Sequence, residues 1–338
     1  MRLLSSAAAL LVACAPPVEG AACTSDDNCP GSQRCSTSCR CESSPPAGGC
    51  PGYTREASLP LDAASASAVV QLSGRGEVAA VYATDSRGRP TTRLFVPDGG
   101  AWTRLGELEA DGPSASPMGL SPTGNGLALR GLLGTVTHYR LPGLESFTPL
   151  WTSSARAVAL AGETVVASFD GAGTRRKRVG DSLSALGTAI DTGSADELQL
   201  SNDGVVAARF GSEVRLYDSD GGRGSVYSDV KAIDLSADGR SVALVRDTGV
   251  EVAVGARRAS VPLGGAAQAA LDGSGRTLVA LSGGAPAVFA LDGGAWARVG
   301  ALPIDEGVAR GAALTDDGEL LLIGVPSQRQ VLVFRRLR

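Results

Sequence analysis

Histidine is almost absent: 338 residues hold one, His138. Histidine is the usual general base near neutral pH and the commonest transition-metal ligand. A single copy with no cysteine or acidic cluster nearby reads as a structural or surface residue, and most metal-dependent chemistry goes with it. No Gly-x-Ser-x-Gly elbow occurs, so a hydrolase triad has no support. Lysine is scarce too, with Lys177 and Lys231 the only two among 31 basic residues. The formal net charge of -4 argues against nucleic acid as a partner, since phosphate binding needs a clustered basic surface. The one apolar run of note, near the N-terminus, is too short to span a bilayer as a permanent helix.

That run, MRLLSSAAALLVAC, places Arg2 before an apolar stretch and turns to Pro and Gly just beyond it, as a secretory signal peptide over residues 1–13 does. Leu11, Val12, Ala13 and Cys14 resemble the bacterial lipobox. The resemblance implies cleavage before Cys14 and acylation of that residue; an ordinary signal peptide with an incidental cysteine is the competing reading. Three acyl chains would exceed the two-signal threshold for stable anchoring, giving a membrane-attached protein without a spanning segment. Position 15 is Ala, not the Asp that resembles an inner-membrane retention signal, so the expected address is the outer membrane.

All seven cysteines lie before residue 51. With Cys14 used for lipid, Cys23, Cys29, Cys35, Cys39, Cys41 and Cys50 remain. An even number packed closely in an exported chain predicts three disulfides, with all 15 pairings open. Zinc is the alternative, disfavoured because the segment holds no Cys-x-x-Cys and no histidine. The stretch resembles the small Cys-rich modules of secreted proteins, and SSPPAGG over 43–49 reads as a linker. The expected organisation is a signal peptide over 1–13, an anchor, Cys-rich segment and linker over 14–50, and one domain over 51–338.

The domain writes one phrase seven times: an apolar strand ending in Leu, a turn of small and polar residues with Gly, then a second apolar strand. The copies begin at Leu72, Leu120, Leu160, Leu200, Leu235, Leu271 and Leu314, spaced by 48, 40, 40, 35, 36 and 43 residues. A strand-bearing period near 40 predicts propeller blades, each too thin to bury its own faces. The second strands (VALV, LLLI, VVAA) are continuously apolar, as expected of a strand covered on both sides. In the copy over 230–263, strands are predicted at Lys231–Leu235, Ser241–Arg246, Val250–Val254 and Arg257–Leu263, with SADG as the first turn.

Internal matches fix the phase. FVPDGGAWTRLGEL from Phe95 repeats as FALDGGAWARVGAL from Phe289. ASLPL (57–61) repeats ASVPL (259–263), a fourth strand, while the last blade yields only three strands before the chain ends. The ring is therefore predicted to close by pairing 55–61 with the strand near 330–335, which removes exposed edges. The fold expected is an all-β, seven-bladed β-propeller closed by an N-terminal strand and preceded by a disulfide-rich segment.

LTDDGELLLIGVPSQRQVLVF resembles FG-GAP propeller repeats, and LSADGRSVALV is similar to the phrase of TolB-type and WD-repeat propellers. FG-GAP repeats imply calcium sites built from alternating Asp. Here DSDGG (218–222) keeps part of one, and a plain hairpin turn is the competing reading. The run Arg175–Arg178 suits anionic lipid or an acidic partner, against which stands a solvated strand face. Trp102, Trp151 and Trp296 fall on outer strands, where blade packing competes with an anchoring role. Glu197, Asp234 and three glutamines are the polar residues of the inner strands. Propeller enzymes need converging carboxylates with Asn or His, or stacked Trp for a quinone, and the inner strands offer neither set.

Function is therefore expected to be non-catalytic, with no cofactor: a monomeric lipoprotein whose propeller binds an envelope protein or glycan. A metal- or quinone-dependent enzyme of the channel and a structural scaffold are the alternatives. The partner-binding loops are predicted at 83–90, with Asp85, Arg87 and Arg89, then 109–116 and 305–310, because these connections are long, polar and placed on one rim by the repeat phasing.

Overall fold

A computed structural model describes residues 34–35, 41–42, 52–61, 68–84, 87, 89–110, 114–131, 135–144, 147–283, 286–304 and 308–337. Seven antiparallel four-stranded sheets stand around a central channel. Their inner strands, blades one to seven, are Val69–Leu72, Met118–Leu120, Ala155–Ala161, Glu197–Leu200, Ala232–Leu235, Gln268–Leu271 and Ala312–Leu314. In each of the first six blades the chain steps outward through three more strands before crossing to the next. Blade five runs Ala232–Leu235, Ser241–Arg246, Gly249–Val254 and Arg257–Val261, within two residues of the expected bounds.

Side chains alternate across a strand, and this sets the packing. In the second strand of blade five, Val242 and Leu244 pack toward blade four, and Ala243 and Val245 toward blade six. The same division holds round the ring, so the core is seven separate clusters, one at each seam between neighbouring blades. No blade has a core of its own, which is why the second strands read as unbroken apolar runs.

The repeated phrase has a local cause. In six blades the residue after the terminal Leu is Ser73, Ser121, Ser201, Ser236, Asp272 or Thr315, all buried. Ser73, Ser201, Ser236 and Thr315 each accept the backbone N–H that opens or precedes the second strand, at 2.9 to 3.0 Å. The Gly near the end of each turn (Gly76, Gly124, Gly204, Gly239, Gly275 and Gly318) has φ between 65° and 83°, the left-handed region that a Cβ disfavours. Blade three departs: Ala161 carries no hydroxyl and the turn shortens to Gly162 and Glu163.

Closure is as the sequence requires. Tyr53–Pro60 pairs with Gln330–Arg336, in register from Tyr53 opposite Arg336 to Pro60 opposite Gln330, and supplies the fourth strand of blade seven. Tyr53 lies buried with its hydroxyl donating to the Gly318 carbonyl. Ahead of the ring, Arg34–Cys35 pairs with Cys41–Glu42, and Cys35 is buried and disulfide-bonded. Cys14, Cys23, Cys29, Cys39 and Cys50 lie outside the described residues, as does the side chain of Cys41. Residues 1–13 lie outside them too, and no helix among the described residues is long and apolar enough to cross a membrane.

Candidate functional site

An antiparallel meander sorts its connections by end. First-to-second and third-to-fourth turns gather at one end of the ring, the turn face. Second-to-third and blade-to-blade connections gather at the other, the loop face. The channel between them holds a cavity of about 200 Å³.

The polar residues expected in the channel line it, and most are engaged with the next blade. Leu120 N–H donates to Gln71 Oε1 at 2.7 Å while Gln71 Nε2 donates to the Met118 carbonyl, joining blades one and two. Ile233 N–H reaches Glu197, Leu271 N–H reaches Asp234 at 2.7 Å, and Gly311 N–H reaches Gln268, so blades four to seven are stitched in turn. Gln199 lines the cavity as well. Glu197 also accepts from Arg209 Nε at 2.8 Å, and burial holds its carboxyl above the usual range in spite of that cation. Asp234 has no such partner. Part of its surface faces channel water, yet enclosure by the blades pushes its pKa up to about 7, opposed by the Leu271 N–H and reinforced by the Glu197 charge. These side chains have a structural occupation, which the sequence left open.

Ser116, the last residue of the loop predicted over 109–116, is buried at the channel, and Asn202 and Asp316 were missed altogether. Ser116 Oγ donates to the Leu198 carbonyl and accepts its N–H, linking blade two directly to blade four past blade three. At the turn face the Asn202 side chain bonds the Asp316 carboxylate across the mouth, and burial, with Asp317 and Asp272 nearby, raises the Asp316 pKa. The turns themselves are tied by backbone bonds: Asn202 to Ala237, Asp238 to Gly273, Gly273 to Asp316, Asp316 to Gly74, and Gly74 to Pro122. The series stops at Pro122, which has no N–H to pass on. A serine in a turn and an asparagine in the LSNDG phrase carry no sequence signal that sets them apart from ordinary turn residues.

On the loop face, Arg89 Nη1 lies 3.3 Å from Glu109 Oε1, both well exposed, joining two of the connections singled out in the sequence. Arg87, in the same connection as Arg89, is exposed. Asp85, 111–113 and 305–307 lie outside the described residues. Further round this face Arg156 pairs with Asp170 at 2.7 Å and Asp196 at 3.0 Å, and its carbonyl accepts from Ser114 and Arg130.

Other expectations meet mixed outcomes. His138 is half-buried on the third strand of blade two, its pKa lowered by burial. Asp218 Oδ1 caps its own turn by accepting the N–H groups of Asp220 and Gly222 at 3.1 and 2.6 Å. Trp151 and Trp296 are buried and Trp102 packs on the seam of blades seven and one, so the tryptophans serve packing. The solvated-face reading of Arg175–Arg178 holds for Arg178, which is exposed, and is corrected for the other three. Lys177 is 3% exposed, its Nζ donating to the carbonyls of Leu150 and Ala185 over the Trp151 ring. Arg176 reaches across the seam to the carbonyls of Gly204, Asp218 and Ser219. These cations bind carbonyls because strand register puts them between blades.

The architecture defines the protein's class: a seven-bladed β-propeller with a stitched channel. It is similar to a chain in the crystal structure of a mitotic checkpoint complex, with a TM-score of 0.63 and 14% identity over 87% of this chain and 95% of that one. At that identity the likeness shows the fold alone. No family model matches the chain, and no curated protein matches it.

Proposed function

We propose that the chain is a non-catalytic binding propeller, exported and held at the outer membrane by lipid on Cys14, whose loop face engages an envelope protein or glycan. The observation that carries this reading is that the ring's N-terminal strand begins on the face opposite the loops. The ring's N-terminal strand enters at Tyr53, beside the Gly318 turn, so residues ahead of it join the propeller from the turn face. Arg87, Arg89 and Glu109 stand on the opposite face. A chain anchored through its N-terminus thus has a place to present those loops away from the tether. The structural occupation of Gln71, Glu197, Asp234 and Gln268 adds support, because side chains committed to holding blades together are poorly placed to turn over a substrate. Propellers also serve widely as interaction scaffolds, since rigid strands carry connections that vary freely.

The test is affinity purification from the native envelope. Wild-type protein should retain a partner that the Arg87→Ala/Arg89→Ala variant loses, with both melting alike. Mass spectrometry should find acylated Cys14 at the mature N-terminus, and Cys14→Ser should leave the protein uncleaved or soluble. Equal retention by the double variant overturns the loop assignment, and an unmodified Cys14 overturns the anchor.

A further inference from the structure

Blade three carries a second surface, on the turn face. Its third-to-fourth connection, residues 179–187, is a long loop in which Leu183 and Leu186 are 48% and 61% exposed. The loop is held firmly from beneath. Trp151 Nε1 donates to the Leu186 carbonyl at 3.2 Å, Lys177 Nζ to the Ala185 carbonyl at 3.1 Å, and Asp181 accepts the Arg178 N–H at 2.9 Å. A buried ammonium and a buried indole N–H are strong supports for one surface loop. They fix its backbone and leave two leucines facing water, which is the preorganised apolar display that lowers the ordering cost of association.

The loop borders a cleft of about 820 Å³ at the seam of blades three and four, lined in part by Arg176, Arg178, Leu186, Thr188 and Asn202. The core of that seam sets Ala157, Ala159, Ala195 and Ala208 beside Val166, Leu198, Val206 and Tyr217. Three cations line the cleft (Arg176, Lys177 and Arg178) against two carboxylates, Asp181 and Asp203. None of the residues Arg175–Arg178 forms an ion pair with a carboxylate among the described residues; the side-chain bonds of Arg175, Arg176 and Lys177 all go to carbonyls. Arg178 is exposed at the strand end.

We propose that this cleft docks a segment of a partner protein that carries an aliphatic side chain next to a carboxylate. The aliphatic group packs on Leu183 and Leu186, and the carboxylate meets Arg178, whose guanidinium offers a planar fork to it. A flat anionic membrane fits less well. The site is concave, a shape that a flat surface does not fill. The site is independent of the loop-face reading, lying at the other end of the ring.

Random peptides displayed on phage, selected on the full-length Cys14→Ser protein, supply the probe. Enriched sequences should combine Leu, Ile or Met with Asp or Glu. A synthetic copy should bind about tenfold more weakly to each of two variants, Leu183→Ser/Leu186→Ser and Arg178→Glu, both melting as the parent does. Arg87→Ala/Arg89→Ala should bind it unchanged. Enrichment of basic sequences, no enrichment, or equal binding by the variants overturns the proposal. So does co-sedimentation with phosphatidylglycerol vesicles that disappears in the leucine variant, which would assign the loop to lipid.

Discussion

Asp234 on blade five accepts the backbone N–H of Leu271 on blade six at 2.7 Å, with no cation to balance its charge. Its carboxyl is therefore expected to take up a proton in the folded ring well above the usual carboxylate range. The folded pKa of about 7 exceeds the ordinary 3.8. The folded state thus binds the proton more tightly, and the contribution is complete below pH ~4 and lost as pH rises to ~7. Asp234→Asn keeps an acceptor and cannot ionise. Its stability relative to wild type should rise across that window by roughly 2–4 kcal/mol, read by urea unfolding at pH 4.5 and 8. A pH-independent difference would show that Asp234 stays ionised.

The turn hydroxyls should matter individually. Ser236→Ala removes the acceptor for Ser241 N–H inside a buried turn and should cost about 1–2 kcal/mol. Ala161→Ser, in the shortened turn of blade three, should give no matching gain. Denaturant midpoints of the two variants decide it.

Gly119 lies where the inner strands of blades two and three press together, and a Cβ there would meet the backbone of Ala159 and Leu160. Gly119→Ala should cost about 3 kcal/mol or more, since rigid backbone has to move. A melting temperature within a degree of wild type would show that the seam gives way easily.

Ring closure gives a further expectation. A chain beginning at Asp62 lacks Tyr53–Pro60 and bares the edge of Gln330–Arg336, so it should aggregate or melt far below the parent. Tyr53→Phe is the milder check. It removes the hydroxyl that donates to Gly318 and should cost about 1–2 kcal/mol.

Lys177 tests the support of the leucine loop. Lys177→Met keeps the stem and removes the donor to Leu150 and Ala185, so amide exchange over 180–187 should quicken while that of blade six is unchanged. Uniform exchange would show that the loop is held by other contacts.

The sequence by itself determined the ring. Strand periodicity and turn chemistry are local, and seven imperfect copies reinforce one another, so the blades, their phase and the closing strand at ASLPL could all be read from spacing. It also located the polar residues of the channel, since inner strands are recognisable from their place before each turn. What each side chain does there was decided by tertiary structure. Gln71, Asp234 and Gln268 reach the following blade only because closure fixes which side of each inner strand faces which neighbour. Asn202 meets Asp316 only because blades four and seven stand across the channel. The basic run is the plainest case. Arg176 and Lys177 read alike in the sequence, yet strand alternation sends one to the carbonyls of blade four and the other beneath the loop beside Trp151. A charge on an exposed strand and one between blades look the same until the blades are stacked, because burial of a strand face is a property of its neighbours and not of its own residues.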